Sequence, residues 1–273
     1  MSFFASPFLR KIRMIVITII TLYLVAGIAL YLIQDKIIFL GEPLPENYNY
    51  EFNIPVEELN IEMSDGALIN TLRFRVDSSK GLIVYYHGNA GNLARWGFVA
   101  EDFVKLGYDV AIIDYRQYGK STGLRTASNV LADAEEVYQY FADKVSEDSI
   151  IVYGRSIGTG MASHVAARNK PRMLILETPY YSLNSLAQSL MPFFPVKLAL
   201  KYKLDNGKNL TKVQCPVYIF HGTDDEVVSF EQGRKLFENA DKSKTTFFSI
   251  EGGQHNNLSD FEMYHKYLES VLE

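Results

Sequence analysis

The sequence lacks features that several classes of protein need. It has one cysteine in 273 residues, which excludes an intrachain disulfide and a cysteine-built metal site. Its formal net charge is -5, so it has no excess of positive charge with which to bind nucleic acid. It also has no internal repeat and no low-complexity tract. The composition, 48% hydrophobic and 22% charged, is that of a globular protein, and the length suits one large α/β domain or two small ones.

One segment departs from this composition. Residues 14–33 carry no charge, and this stretch has about the 20-residue length of a helix that crosses a bilayer. Arg10, Lys11 and Arg13 precede it, which predicts a cytoplasmic tail over residues 1–13 and a chain that otherwise lies on the other side, in the periplasm if the cell is bacterial. A cleaved signal peptide is the alternative, but the apolar run is longer than the apolar region of such peptides.

The remainder of the chain predicts a single α/β domain. Residues 34–55 contain three prolines and predict a stiff linker to a domain over residues 56–273. A hairpin with its turn at residues 64–66 is followed by short apolar runs that alternate with helical periodicity, which predicts a mostly parallel sheet of about eight strands flanked by helices. The predicted strands are 59–63, 67–76, 82–86, 110–114, 150–153, 173–176, 217–220 and 246–250. Residues 179–213 interrupt this alternation.

Two segments fit the pattern G-x-S-x-G, which can mark a serine nucleophile on a tight turn between a strand and a helix. Ser156 has a predicted strand directly before its pattern and a small-residue helix, 157–167, directly after it. Ser121 has neither, since it lies in a polar loop several residues beyond a strand. The local context therefore favours Ser156.

Two nucleotide-binding interpretations compete for the same glycines. Gly154, Gly158 and Gly160 fit the phosphate-binding turn of short-chain dehydrogenases, but that turn follows the first strand of its domain and several strands precede this one. Residues 119–121 end like a Walker A loop, yet Asp114 occupies the position of its first glycine. Close helix packing explains Gly160 better than a phosphate does, and we expect no cofactor.

A serine nucleophile requires a base and a carboxylate, which in a strand–turn–helix hydrolase come later in the chain, acid first. Among the five histidines, His255 alone lies in a flexible glycine-containing loop after the last strand, and it is the predicted base. The other four are interpreted as structural. Three carboxylates, Asp224, Asp225 and Glu226, compete for the role of acid after the preceding strand.

The order of these motifs resembles that of the α/β-hydrolases, and within them the membrane-anchored, bud-emergence-type small serine hydrolases. The resemblance spans residues 56–273 and rests on four matches: residues 87–92 with the oxyanion loop, 114–121 with the loop after the next strand, 154–158 with the turn at the nucleophile, and 221–225 with the acid loop. In the family pattern H-G-x-x-D-x-x-V the acid corresponds to Asp225. Gln117 departs from the family, which usually has glycine there.

The resemblance implies acyl transfer through Ser156, His255 and Asp225, with backbone N–H groups of Asn89 and Ile157 binding the oxyanion. Ser156 is expected to have a strained backbone conformation. Residues 179–213 correspond to the cap of the fold, where five apolar residues either contact an acyl chain or pack on the domain: Leu186, Leu190, Met191, Phe193 and Phe194. The expected substrate is a medium- or long-chain ester or thioester. A peptidase with the same triad and an inert binding scaffold are the alternatives, and no metal is expected.

Overall fold

The computed structural model describes residues 7–273, and its longest element is an N-terminal helix, α1 (Pro7–Ile38). Residues 1–6, part of the predicted tail, lie outside the described residues. Within residues 7–273, α1 is the one helix whose length and apolar composition would allow it to cross a membrane. None of its most apolar 18-residue window is buried in the protein. The helix contains the predicted span, residues 14–33.

An eight-stranded sheet forms the centre of the domain, with strand order β10-β9-β8-β7-β4-β6-β3-β2. Pairings of β3 with β2 and with β6 are antiparallel, and the others are parallel. Strands β4, β6 and β8 are buried at every residue, which explains their continuous apolar sequence. The predicted mostly parallel sheet is confirmed. The strands are β1 (Leu40–Gly41), β2 (Val56–Glu62), β3 (Leu68–Phe74), β4 (Leu82–Tyr86), β5 (Ala90–Gly91), β6 (Asp109–Ile113), β7 (Ile150–Arg155), β8 (Met173–Glu177), β9 (Val217–Gly222) and β10 (Thr245–Ile250).

Helices cover both faces of this sheet. Alternate residues of β4 point to two separate apolar clusters: Val84 packs with α4 and α5, whereas Tyr85 packs with α3 and α10. The fold is therefore a three-layer α/β arrangement with a core on each side of the sheet. The helices after α1 are α2 (Leu93–Trp96), α3 (Ala100–Val104), α4 (Asn129–Ala142), α5 (Gly158–Ala166), α6 (Leu183–Leu190), α7 (Val196–Ala199), α8 (Asn206–Leu210), α9 (Phe230–Glu238) and α10 (Glu262–Leu272).

The segment after residue 33 differs from the predicted linker. Helix α1 continues to Ile38, Phe39 is buried against the rings of Tyr115 and Tyr202, and β1 pairs in parallel with β5. Because Phe39 and β1 are fixed on the domain, α1 enters the domain with little freedom of direction. The composition of residues 34–55 gave no sign of this.

His164, in the last turn of α5, makes the stability of the fold depend on pH. Burial and the guanidinium of Arg168, which lies 3.0 Å from Nδ1, lower the pKa of His164 to about 4. Since an unfolded histidine has a pKa of about 6.5, this stabilisation is fully present above that pH and is lost as the pH falls towards 4. Between pH 7 and pH 4 we expect the free energy of unfolding to fall by about 2 kcal/mol more in the wild type than in His164→Gln, measured by urea unfolding. If the free energy of unfolding changed with pH equally in the two proteins, His164 would not be the source of this pH dependence.

Candidate active site

Ser156 lies on the turn between β7 and α5. Its φ is 52°, a left-handed conformation that costs a non-glycine residue about 1–3 kcal/mol. The surrounding packing imposes this turn, because a Cβ on Gly158 would overlap the carbonyl oxygen of Tyr86 and one on Gly154 would lie 2.6 Å from Cβ of Ala162. The expected strain at Ser156 is thus observed, and its hydroxyl is presented at the carboxyl edge of the sheet.

The three residues predicted as nucleophile, base and acid lie together. Nε2 of His255 is 2.8 Å from Oγ of Ser156, and Nδ1 of the same ring is 2.8 Å from Oδ2 of Asp225. Each residue follows the carboxyl end of a different parallel strand: β7 for Ser156, β9 for Asp225 and β10 for His255. Strands that end at one edge of the sheet bring together residues 99 positions apart. Asp224, the competing acid, is exposed.

The Asp225 carboxylate is held in one orientation. Oδ1 accepts hydrogen bonds from the backbone N–H groups of Val227 (2.9 Å) and Val228 (2.8 Å), which leaves Oδ2 for His255. Burial by itself would raise the pKa of Asp225, but hydrogen bonds from His221 and His255 and from the Val228 N–H hold the pKa well below its usual range. The carboxylate is therefore charged at any working pH and fixes a proton on Nδ1 of His255.

Arg155 was not identified from the sequence, although it is the second residue of the pattern around Ser156. Its Nε lies 3.2 Å from Oε1 of Glu177, and its Nη2 donates to the backbone carbonyl of His255 (3.3 Å). The guanidinium thus connects the end of β8 to the loop that carries the histidine. No sequence signal distinguished this arginine from a surface residue.

The oxyanion prediction concerns the backbone N–H groups of Asn89 and Ile157. Both residues line the cavity at Ser156. Within residues 7–273, neither backbone N–H has a hydrogen-bond acceptor in the protein. The carbonyl of Asn89 accepts from the Leu40 N–H of β1 (2.8 Å) and from the Tyr118 hydroxyl (2.7 Å), and these bonds fix the orientation of the loop.

The loop that contains Tyr118 also contains Gln117, which stands where the family usually has glycine. Gln117 has a φ of 66°, a conformation that glycine adopts without strain. The backbone therefore keeps the glycine-like shape despite the side chain. Tyr115, in the same loop, donates to the carbonyl of His87 (2.6 Å), so the loop supports the oxyanion segment at two points.

A cavity of about 420 Å³ opens at Ser156 and His255. Three of the five apolar cap residues line it: Leu186, Leu190 and Met191. Phe193 and Phe194 do not line this cavity. The chain after α6 runs along α1, which leaves Phe193 87% exposed and stacks Phe194 on Tyr23 at 4.9 Å between ring centroids.

One wall of the cavity comes from a part of the chain that sequence reasoning assigned to the anchor and linker. Leu30, Gln34, Ile37 and Ile38 of α1 all line it. Because α1 is apolar on all sides, the periodicity of its sequence does not show which face contacts the domain. Gln34 is the one buried residue of this helix. The polar Gln34 at the end of the apolar run was the available clue.

The remaining candidates are structural. Ser121 is 7% exposed, and its hydroxyl donates to the carbonyl of Asp114 (2.9 Å) and accepts from the Asn70 N–H (2.8 Å). His87 is completely buried, with Nε2 3.1 Å from Oδ1 of Asp114. Residues 7–273 contain no group of three His, Cys, Asp or Glu side chains that could hold a metal ion.

The strand order and the serine–histidine–aspartate arrangement at the carboxyl edge of the sheet define an α/β-hydrolase. A family model described as "Serine aminopeptidase, S33" matches residues 77–208 and 196–262. The chain belongs to this family of serine hydrolases, which confirms the resemblance to the α/β-hydrolase superfamily.

Relatives of this chain include the lysophosphatidylserine lipase ABHD12 of Danio rerio, 31% identical over 62% of this chain and 49% of the relative. The uncharacterized protein R595 of Acanthamoeba polyphaga mimivirus is 30% identical over 74% of this chain and 76% of its own. The chain spans about half the length of the ABHD12 proteins that it matches. Among solved structures, the Pyrococcus furiosus esterase Pf2001 has a TM-score of 0.67 at 17% identity, covering 85% of this chain and 98% of that one, which shows a shared fold.

Proposed function

We propose that this protein hydrolyses carboxylic esters of lipid-like acyl chains through an acyl-enzyme intermediate. Ser156 is the nucleophile, His255 the general base and Asp225 the acid that orients the histidine. The observation that carries the proposal is the hydrogen-bonded chain from Ser156 Oγ through His255 to Asp225 beside an apolar cavity.

Each step of the reaction follows from the positions of these atoms. Nε2 of His255 takes the hydroxyl proton as Oγ of Ser156 attacks the ester carbonyl, and the N–H groups of Asn89 and Ile157 bind the oxyanion that forms. The protonated histidine gives the proton to the leaving alcohol, and the C–O bond breaks to leave an acyl-serine. The same histidine then takes a proton from water as the water oxygen attacks the acyl-serine. It returns this proton to Oγ of Ser156 as the acyl C–O bond breaks and the carboxylic acid leaves.

The cavity lining favours an acyl chain over a peptide N-terminus. An aminopeptidase must pair the positive α-ammonium of its substrate with a negative or strongly polar group, because an unpaired charge is costly in an apolar site. Within the described chain, the residues that line the cavity include Arg95 and Arg155 but no carboxylate. The name of the ABHD12 relatives, lysophosphatidylserine lipase, supports a glycerolipid ester, and the site geometry leaves thioesters as alternative substrates.

We further propose the topology and domain organisation that the sequence predicts. Residues 14–33 of α1 cross the membrane, residues 1–13 face the cytoplasm, and the catalytic domain over residues 56–273 lies on the other side with its cap insertion at residues 179–213. The positive charges of Arg10, Lys11 and Arg13 support this orientation.

A substrate panel on the full chain in detergent micelles tests the proposed activity. The panel compares a palmitoyl lysophospholipid, a palmitoyl thioester and leucine p-nitroanilide. We expect the palmitoyl ester to be hydrolysed and the amide to remain intact. Cleavage of the amide, together with no cleavage of esters of any chain length, would replace the esterase proposal with a peptidase.

A further inference from the structure

A second apolar groove lies between α1 and the cap, next to the active-site cavity. Its volume is about 340 Å³, and Tyr23, Gly27 and Phe194 contribute to its walls. Four residues line both spaces: Leu30, Gln34, Met191 and Leu200. The groove therefore adjoins the cavity that contains Ser156.

The cap is attached to α1 near both ends of this groove. At one end, the Tyr23 hydroxyl donates to the carbonyl of Phe193 (2.7 Å). At the other, Nε2 of Gln34 donates to the carbonyl of Ala199 (3.2 Å), while its Oε1 accepts from the Lys201 N–H (2.8 Å). These polar contacts hold the apolar surfaces of α1 and the cap side by side, so the fold itself maintains the groove.

The groove extends into the depth that a membrane would occupy. Tyr23 is ten residues before Ile33, the end of the proposed span. At a rise of 1.5 Å per residue this is about 15 Å, half of a hydrocarbon core that is about 30 Å thick. The groove therefore follows α1 from the membrane surface to about the middle of the bilayer, the distance over which a lipid acyl chain extends in one leaflet.

The outer surface of the cap is suited to hydrocarbon. Phe193 and Leu198 are 87% and 86% exposed, and both belong to the segment that lies along α1. Exposed apolar groups of this size are costly in water and are stable in lipid. With the cap inserted beside α1, the open side of the groove faces acyl chains and not water.

We propose that this groove is the binding site for the acyl chain of a membrane lipid, which enters sideways from the bilayer while its ester group remains at Ser156. The proposal rests on the proposed esterase function and specifies its substrate as a lipid embedded in the membrane. The anchor helix is then one wall of the acyl site. The groove also sets a preference for long chains, since a short acyl group fills the cavity at Ser156 without entering the groove.

A tryptophan in the groove tests this assignment. Gly27→Trp fills it, because a Cβ at Gly27 would already lie 3.8 Å from the Phe194 ring. Ala26→Trp is the matched control, since Ala26 is an exposed small residue that does not line the groove. Ile28→Trp is a second obstructing variant at a residue that lines it. The full chain is assayed with palmitoyl lysophospholipid in phosphatidylcholine vesicles and with p-nitrophenyl butyrate.

We expect Gly27→Trp and Ile28→Trp to lower kcat/KM for the palmitoyl substrate about tenfold or more, and Ala26→Trp to leave it unchanged. All three variants should retain wild-type activity on the butyrate ester, which also shows that they are folded. Equal losses on both esters, or no loss on the palmitoyl ester in either obstructing variant, would overturn the groove assignment alone. If the wild type cleaved neither ester, the proposed function itself would fail.

Discussion

A fluorophosphonate probe is expected to label the wild-type chain and the Ser121→Ala variant but not the Ser156→Ala variant. Both serines lie in a G-x-S-x-G pattern, but only Ser156 has a histidine nitrogen 2.8 Å from its hydroxyl. Ester hydrolysis by Ser156→Ala should fall about 10³-fold or more, because the variant has no nucleophile. Labelling is read by gel fluorescence and hydrolysis by product release.

The two substitutions should differ in their effects on stability. Ser121→Ala removes two hydrogen bonds to buried backbone groups, which costs about 1–3 kcal/mol. Ser156→Ala removes no such pair and leaves the strained turn in place. Loss of labelling in Ser121→Ala, or retained labelling in Ser156→Ala, would show that the nucleophile is misassigned. Folded wild-type protein that takes no label would favour the inert scaffold.

The sequence predicted those parts of the structure that depend on local pattern. The buried strands could be predicted because they have apolar side chains on both faces. The turn at Ser156 could be predicted because a strand and a helix adjoin its glycines. His255 could be selected because it alone follows the last strand in a glycine loop. The choice between Asp224 and Asp225 needed a family pattern, because their neighbours in sequence are the same.

The features that the sequence did not predict come from contacts between distant segments. Strand β1 has two residues, and its pairing with β5 depends on where α1 enters the domain. Phe193 and Phe194 lie outside the cavity at Ser156, because the cap runs along α1 after Met191. Arg155 acts through Glu177 and the His255 loop, which only the folded chain brings together.

These contacts connect the proposed membrane anchor to the catalytic residues. From α1 the chain passes through buried Phe39 into β1, whose Leu40 N–H holds the carbonyl of Asn89. The proposed oxyanion donor is therefore oriented by the residues that follow α1, and the same helix lines the cavity. Removal of residues as far as β1 would thus remove part of the active site.

The substitution Asp225→Asn would force His255 into the tautomer that cannot act as a base, and we therefore expect a large loss of activity. The position of Oδ1 must remain an acceptor, since the N–H groups of Val227 and Val228 both point at it. The amide NH₂ of an asparagine would then face Nδ1 of His255. Nδ1 would then have to accept a hydrogen bond from this amide, so the ring proton would move to Nε2. Because Nε2 faces Ser156, a protonated Nε2 could no longer take the proton of the serine hydroxyl.

Asp225→Asn is therefore expected to lower kcat about 10⁴-fold with little change in KM or in melting temperature. Asp224→Asn is the matched control: Asp224 is exposed, and its Oδ1 accepts only from the neighbouring Thr223 hydroxyl among the described residues. Steady-state kinetics on the same ester should leave this control near the wild type. A comparable loss in both variants would indicate a general effect of charge in the loop, and near-normal activity in Asp225→Asn would remove Asp225 from the triad. Because the two variants remove the same charge from adjacent residues, a difference between them cannot come from the loss of charge alone.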